Sequence, residues 1–171
     1  MKGRLAGLVC ATLLALAAGA CGFHPLYGEI DDKPGGRAVF GSIYVDPIPV
    51  ERLGYQMRNN LIDTLHSSLR PEDATYRLKV TTTQGIEGIA VEPDASVTRF
   101  NFNLLAHYEL SNMRTGEIVK SGSEATLAEY DVVASPYSTL VAQQAAERRA
   151  TEDIANRIRV DLAVYFQNRA K

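Results

Sequence analysis

The stretch "VTRFNFNLLAHYELSN", residues 97 to 112, constrains the fold more than any other. Phe100, Phe102, Leu104, Ala106, Tyr108 and Leu110 fall on one face, and Arg99, Asn101, Asn103, His107 and Glu109 on the other. Strict alternation of this kind marks a strand with one buried and one wet face. The apolar face then needs a cover.

Two amphipathic helices supply candidates for it. Leu53, Met57, Leu61, Leu65 and Leu69 recur every four residues, with Ile62 widening the stripe, between the prolines at 47 and 49 and Pro71. This spacing predicts a helix that Pro71 stops. Near the other end, Ser135-Pro136 offers an N-cap followed by proline at the first helical position. A long helix is expected from there towards Asn168, with Leu140, Ala145, Ile154, Ile158, Leu162 and Tyr165 near one side.

Three further segments read as strands. "AVFGSIYVD" alternates, with Val39, Gly41, Ile43 and Val45 against Phe40, Ser42 and Tyr44. "TYRLKVTTT" puts Tyr76, Leu78 and Val80 inward and Arg77, Lys79 and Thr81 outward, and the pattern can continue through Ile86 to Val91. A tight turn at 112–116 leads into a returning strand, "EIVKSGSEATLAEYDVV". The expected fold is therefore α+β, in the order β-α-β-β-β-α. It is a single four-stranded, mainly antiparallel sheet with both helices packed on one face.

The first twenty residues have the parts of an export signal. Lys2 and Arg4 precede an apolar run from Leu5 to Ala18, and Ala18-Gly19-Ala20 ends at Cys21. The run is shorter than the roughly 20 apolar residues a membrane-spanning helix needs. Two cleavages fit: an ordinary one that releases a soluble protein, and a lipoprotein one that acylates Cys21. Cysteine usage favours the second. The only other cysteine, Cys10, lies within the signal, so an exported Cys21 has no partner in the chain for a disulfide. The expected organisation is a lipoprotein signal over 1–20, a lipid-anchored tether over 21–38 and an α+β domain over 39–171. Two or more acyl chains on Cys21, palmitate among them, would hold that domain stably at a membrane surface.

Removing Lys2 and Arg4 takes the 18 basic residues to 16 against 20 acidic ones, a net charge of −4. That argues against nucleic acid as the main partner, since phosphate backbones select a dense basic face. Catalysis finds no constellation either. His24, His66 and His107 are scattered with no metal-ligand spacing, and neither a nucleophile elbow nor a phosphate-cradling glycine loop occurs. No enzymatic activity, metal or cofactor is expected beyond the covalent lipid. On the last helix, Arg148, Arg149, Glu152, Asp153, Arg157 and Asp161 form i,i+4 pairs of the kind that mark a solvated face. The outward row Arg77, Lys79, Arg99, Asn101, Asn103 and His107 is the candidate binding surface. It would suit phosphate or sugar, a solvated sheet face, or the polar interior of a β-barrel.

Cys21-Gly22-Phe23-His24-Pro25-Leu26-Tyr27-Gly28 resembles the C-G-F-x-P-L-Y-G start of mature proteins of the LptE family, the lipopolysaccharide-assembly lipoproteins. The likeness continues through "VFGSIYVDPIPVERLGYQMRNNLIDTL", "TYRLKV", "VTRFNFNLLAHYEL" and "SPYSTLVAQQAAERRA", with the tone of the alphaproteobacterial branch. Ala18 stands where a lipobox usually has leucine. The resemblance implies acylation of Cys21 and residence at the periplasmic face of the outer membrane. It also implies a role as plug and assembly partner inside the LptD barrel, in the pair that delivers lipopolysaccharide to the outer leaflet. The reading that competes with it is a free-standing periplasmic lipoprotein that binds a small anionic ligand.

Overall fold

The computed structural model describes residues 36–49, 51–67, 70–91, 97–132 and 135–169. The elements are α1 (Gly36–Gly41), β1 (Ile43–Val45), α2 (Glu51–Leu65), a 3-10 turn (Pro71–Asp73), β2 (Tyr76–Val91), β3 (Val97–Asn112), β4 (Ile118–Asp131) and α3 (Pro136–Arg169). The four strands form one sheet in the order β1-β2-β3-β4, with β1 parallel to β2 and the other pairs antiparallel. The architecture is the expected α+β one.

Alternation on β3 sorts as its residues dictate. Phe102, Leu104, Ala106, Tyr108 and Leu110 are buried, and they meet Ile43, Val45, Leu78 and Val80 from β1 and β2 under the helices. From α2 come Leu53, Met57, Leu61 and Leu65; from α3 come Ile154, Ile158 and Leu162. The buried face of α3 also carries Ala146, Ala150, Ala155 and Ala163, whose small side chains let the helix lie close to β3 and β4.

Lengths decide what is covered. β2 and β3 each have 16 residues, and α3 has 34. At about 3.4 Å per strand residue and 1.5 Å per helical residue, both sheet and helix run roughly 50 Å. The 15 residues of α2 reach only about 22 Å. The sheet end furthest from β1 therefore has α3 over it and no α2. There Ile86 stays half exposed although its partner Phe102 is buried, and Leu140 on α3 is half exposed too. This corrects the placement of Leu140 and Ala145 on the core face: the buried stripe begins at Ala146.

Two boundaries also differ from the sequence reading. The segment expected to begin a strand at residue 39 is helical through Gly41, so β1 has only three residues. Phe40 is the reason. Turned by α1, it is buried edge-on against Phe166 at 6.2 Å, which in turn packs on Tyr76 at 5.3 Å. The turn is closed by Ser42, whose hydroxyl donates to the Val39 carbonyl at 2.7 Å. The expected tether over 21–38 thus gives way to helix at Gly36, and its earlier part lies outside the described residues.

Helix α2 ends at Leu65 rather than near Pro71. His66 adopts φ 49°, and the amides of His66 and Ser67 donate back to the carbonyls of Asp63 and Ile62. That is a left-handed cap with both of its characteristic hydrogen bonds, formed here on histidine instead of glycine. Leu69 lies outside the described residues. Cap and proline at the start of α3 are as expected: Ser135 Oγ accepts from the Ser138 amide at 3.4 Å.

Candidate functional site

The sheet face away from the helices carries all six candidate residues from β2 and β3, but it does not bring them together. Register places Arg77 opposite Ser111 and Arg99 opposite Ala90. Ser111 and Arg99 are twelve positions apart on one strand, so the two arginines stand roughly 40 Å apart. The expected cationic patch is two separated regions.

At the β1 end, Arg77 lies 3.6 Å from Asp46, and Lys79 is exposed directly across from Glu109. At the far end, Arg99 donates to Asp131 at 2.7 Å and lies 3.9 Å from Glu129. The hydrogen bond and charge of Asp131 raise the guanidinium pKa further above its ordinary value. Asn101 sits between Glu87 and Glu129, and its Oδ1 is buried with no hydrogen-bond partner. Asn103 lies between Gly85 and Leu127. His107 occupies the middle, between Thr81 and Ser123, with Nδ1 2.6 Å from the Ser123 hydroxyl. Cys21 lies outside the described residues.

Between the two regions the face is hydroxyl-rich and shallowly concave. A depression of about 510 Å³ is lined by Thr83, Gly85, Asn103, Leu105, Ala125 and Leu127. Leu105 and Leu127 make it partly apolar, and both come from positions that alternation assigns to the wet face. Leu105 was visible as the extra leucine in "NLLAHY", where two apolar residues stand together. Gly85 contributes by lacking a side chain.

A polar cluster on the helix side escaped the sequence reading. Tyr108 sends its hydroxyl across β4 to donate to Asp161 on α3, and Lys120 Nζ lies 2.8 Å from the same carboxylate. Asp161 therefore bonds to the sheet, not to Arg157 as the helical spacing implied; Arg157 pairs with Asp153 at 3.0 Å. Burial raises the Asp161 pKa above its ordinary value. Towards the other end of α3, Glu147 is buried with Arg52 of α2 and Gln143 as its partners, tying the two helices together. Among the described residues no group of histidine, cysteine or acidic side chains could hold a metal ion, and no helix is long and apolar enough to cross a membrane.

An open mixed sheet with two long helices on one face is a fold that this chain shares with solved bacterial lipoproteins. A crystal structure of a lipoprotein from Caulobacter crescentus superimposes with a TM-score of 0.64 at 25% identity, over 78% of this chain and 96% of that one. A minor lipoprotein from Acinetobacter baumannii gives 0.56 at 15% identity, over 74% and 92%. Rare lipoprotein B from Shewanella oneidensis gives 0.57 at 11%, over 76% and 98%. The last two speak for the fold alone. No curated protein matches by sequence. Residues 40–162 match the family model described as LptE, lipopolysaccharide-assembly, and the chain belongs to that family.

Proposed function

We propose that this chain is an outer-membrane lipoprotein, anchored through acylated Cys21 at the periplasmic face, that plugs an LptD-type β-barrel. In this role it assists the barrel's assembly and, with it, delivers lipopolysaccharide to the outer leaflet. The family match over 40–162 carries the reading. What supports it physically is the sheet face away from the helices, over which no described element packs. Charged, amide and hydroxyl side chains run the length of β2, β3 and β4 on the side away from the helices. Such a face suits the hydrophilic lumen of a large barrel. The role asks for no chemistry: the chain fills, positions and shields, and the barrel with its lipid cargo supplies the path.

Arg99, Asn101 and Asn103 at one end, and Arg77, Lys79 and His107 towards the other, are the proposed contacts to barrel lumen or lipid A phosphates. Each arginine is already ion-paired within the chain, so binding a small anion would mean displacing a carboxylate. Depleting the chain in its host and labelling cell-surface lipopolysaccharide tests the role. Surface lipopolysaccharide falls if the proposal holds, and an undiminished surface would overturn it.

A further inference from the structure

The sheet face away from the helices sets an apolar trough beside a row of unmatched acceptors. Leu105 and Leu127 give the depression described above its apolar floor, and Leu127 is 51% exposed. Gly85 leaves it open: a Cβ built there would meet nothing within 4 Å. Gly85, Asn103 and Leu127 stand in register across β2, β3 and β4. The next row of the same face, two residues along, is Glu87, Asn101 and Glu129. Two residues span about 7 Å of strand.

This second row is short of donors. Glu87 is exposed and has no ion-pair partner among the described residues. Glu129 lies 3.9 Å from Arg99, but that guanidinium donates to Asp131 at 2.7 Å. Between the two carboxylates the buried Oδ1 of Asn101 accepts no hydrogen bond. A buried acceptor left without a donor destabilises the chain that carries it.

Trough and row together select one kind of occupant. An anion such as phosphate meets two carboxylates and is repelled. An apolar side chain fills the trough but strips water from Glu87 and Glu129 without replacing it. An arginine or lysine satisfies both parts. Its methylenes cover Leu105 and Leu127, and its head brings several N–H donors to the acceptor row. The roughly 7 Å between the rows is within reach of such a stem.

We propose that this trough seats a basic side chain projecting from the lumen wall of the barrel, with its stem on Leu105 and Leu127 and its charge against Glu87 and Glu129. The inference rests on the plug reading, which is what brings a lumen wall against this face. It adds acids of this chain to the basic and amide contacts named above, and it assigns the matching charge to the partner.

Tagged full-length chains recovered from detergent-solubilised outer membranes of the native host test it. Glu87→Lys sets a like charge against the incoming cation, and Gly85→Leu fills the trough from a position with open space around its Cβ. Each should lower the barrel recovered per tagged chain at least about fivefold, with a urea midpoint no lower than that of the unsubstituted chain. If Gly85→Leu lowers the midpoint, Glu87→Lys decides alone. Glu72→Lys makes the same charge change on the exposed turn before β2, at the opposite end of the sheet, and should leave recovery unchanged. A photoreactive benzoylphenylalanine in place of Leu127 should cross-link to a barrel peptide that contains arginine or lysine. Undiminished recovery with Glu87→Lys, an equal loss with Glu72→Lys, or cross-links confined to the same chain would each overturn the inference and leave the barrel reading in place. An unsubstituted chain recovered without a barrel overturns both.

Discussion

Gly122→Ala should damage this fold out of proportion to one methyl group. A Cβ at Gly122 would lie 2.5 Å from the Tyr108 hydroxyl oxygen, 2.7 Å from Cζ and 2.8 Å from Cε1. Tyr108 is fully buried and cannot swing aside without leaving the core or releasing its hydrogen bond to Asp161. Overpacking of this kind costs about 1–3 kcal/mol, and loss of a hydrogen bond to a charged group about 1.5–3 kcal/mol. Since either adjustment relieves the clash, the two costs are alternatives in part. We expect about 3 kcal/mol in all, or roughly 6–12 °C in Tm for a chain of this size. Urea unfolding of the purified mature chain, followed by circular dichroism, reads it directly. The cause is isolated by a cycle with Tyr108→Leu, which removes the obstructing ring. If the account is right, Gly122→Ala costs much less in that background, with a coupling of about 1–3 kcal/mol. A single-variant loss below about 0.5 kcal/mol, or additive effects, would refute the reasoning.

Other expectations follow from the same geometry. Because burial raises the folded-state pKa of Asp161 above its unfolded value, the folded chain binds more protons between the two. Stability of the native chain relative to Asp161→Asn should therefore increase as pH falls through that window and decline as pH rises; urea midpoints at pH 4 and 7 showing no slope, or the reverse, would contradict this. His66→Gly relieves a left-handed residue at the end of α2 and should stabilise by about 0.5–1 kcal/mol, after the added unfolded-state freedom of glycine is set against it; a loss in urea unfolding would remove the strain argument. Arg77→Ala and Arg99→Ala should weaken lipopolysaccharide binding additively, since sites this far apart do not couple; a titration of the double variant departing by more than about 0.5 kcal/mol would contradict the separation. Cys21→Ala should shift the chain from membrane to soluble periplasmic fractions on centrifugation, and its retention in membranes lacking the barrel would argue against the lipid anchor.

Alternation and helical spacing made most of the fold legible, because burial acts on one face at a time. Phe102 through Leu110 and Leu53 through Leu65 each declared which side faces the core. What these patterns do not encode is position along the sheet. Arg77 and Arg99 share a face by parity, yet only the β2–β3 register reveals how far apart they stand. Partners across elements were equally hidden: Asp161 has a plausible helical neighbour in Arg157, but Lys120 and Tyr108 come from strands whose distance to α3 no local pattern reports. At the N-terminal boundary, nine alternating residues fit a strand well, and the need to bury Phe40 against Phe166 prevailed. Leu105 and Leu127 matter for the opposite reason, since an apolar residue on a wet face breaks the pattern and shows in the sequence as an irregularity.

The central claim is that this family member works inside a barrel. Its most direct test is purification of the full-length chain through a C-terminal tag from detergent-solubilised outer membranes of its own host, with partners identified by mass spectrometry. The account predicts one large β-barrel protein in stoichiometric amount, carrying lipopolysaccharide with it. Recovery of the chain without any barrel would contradict the account.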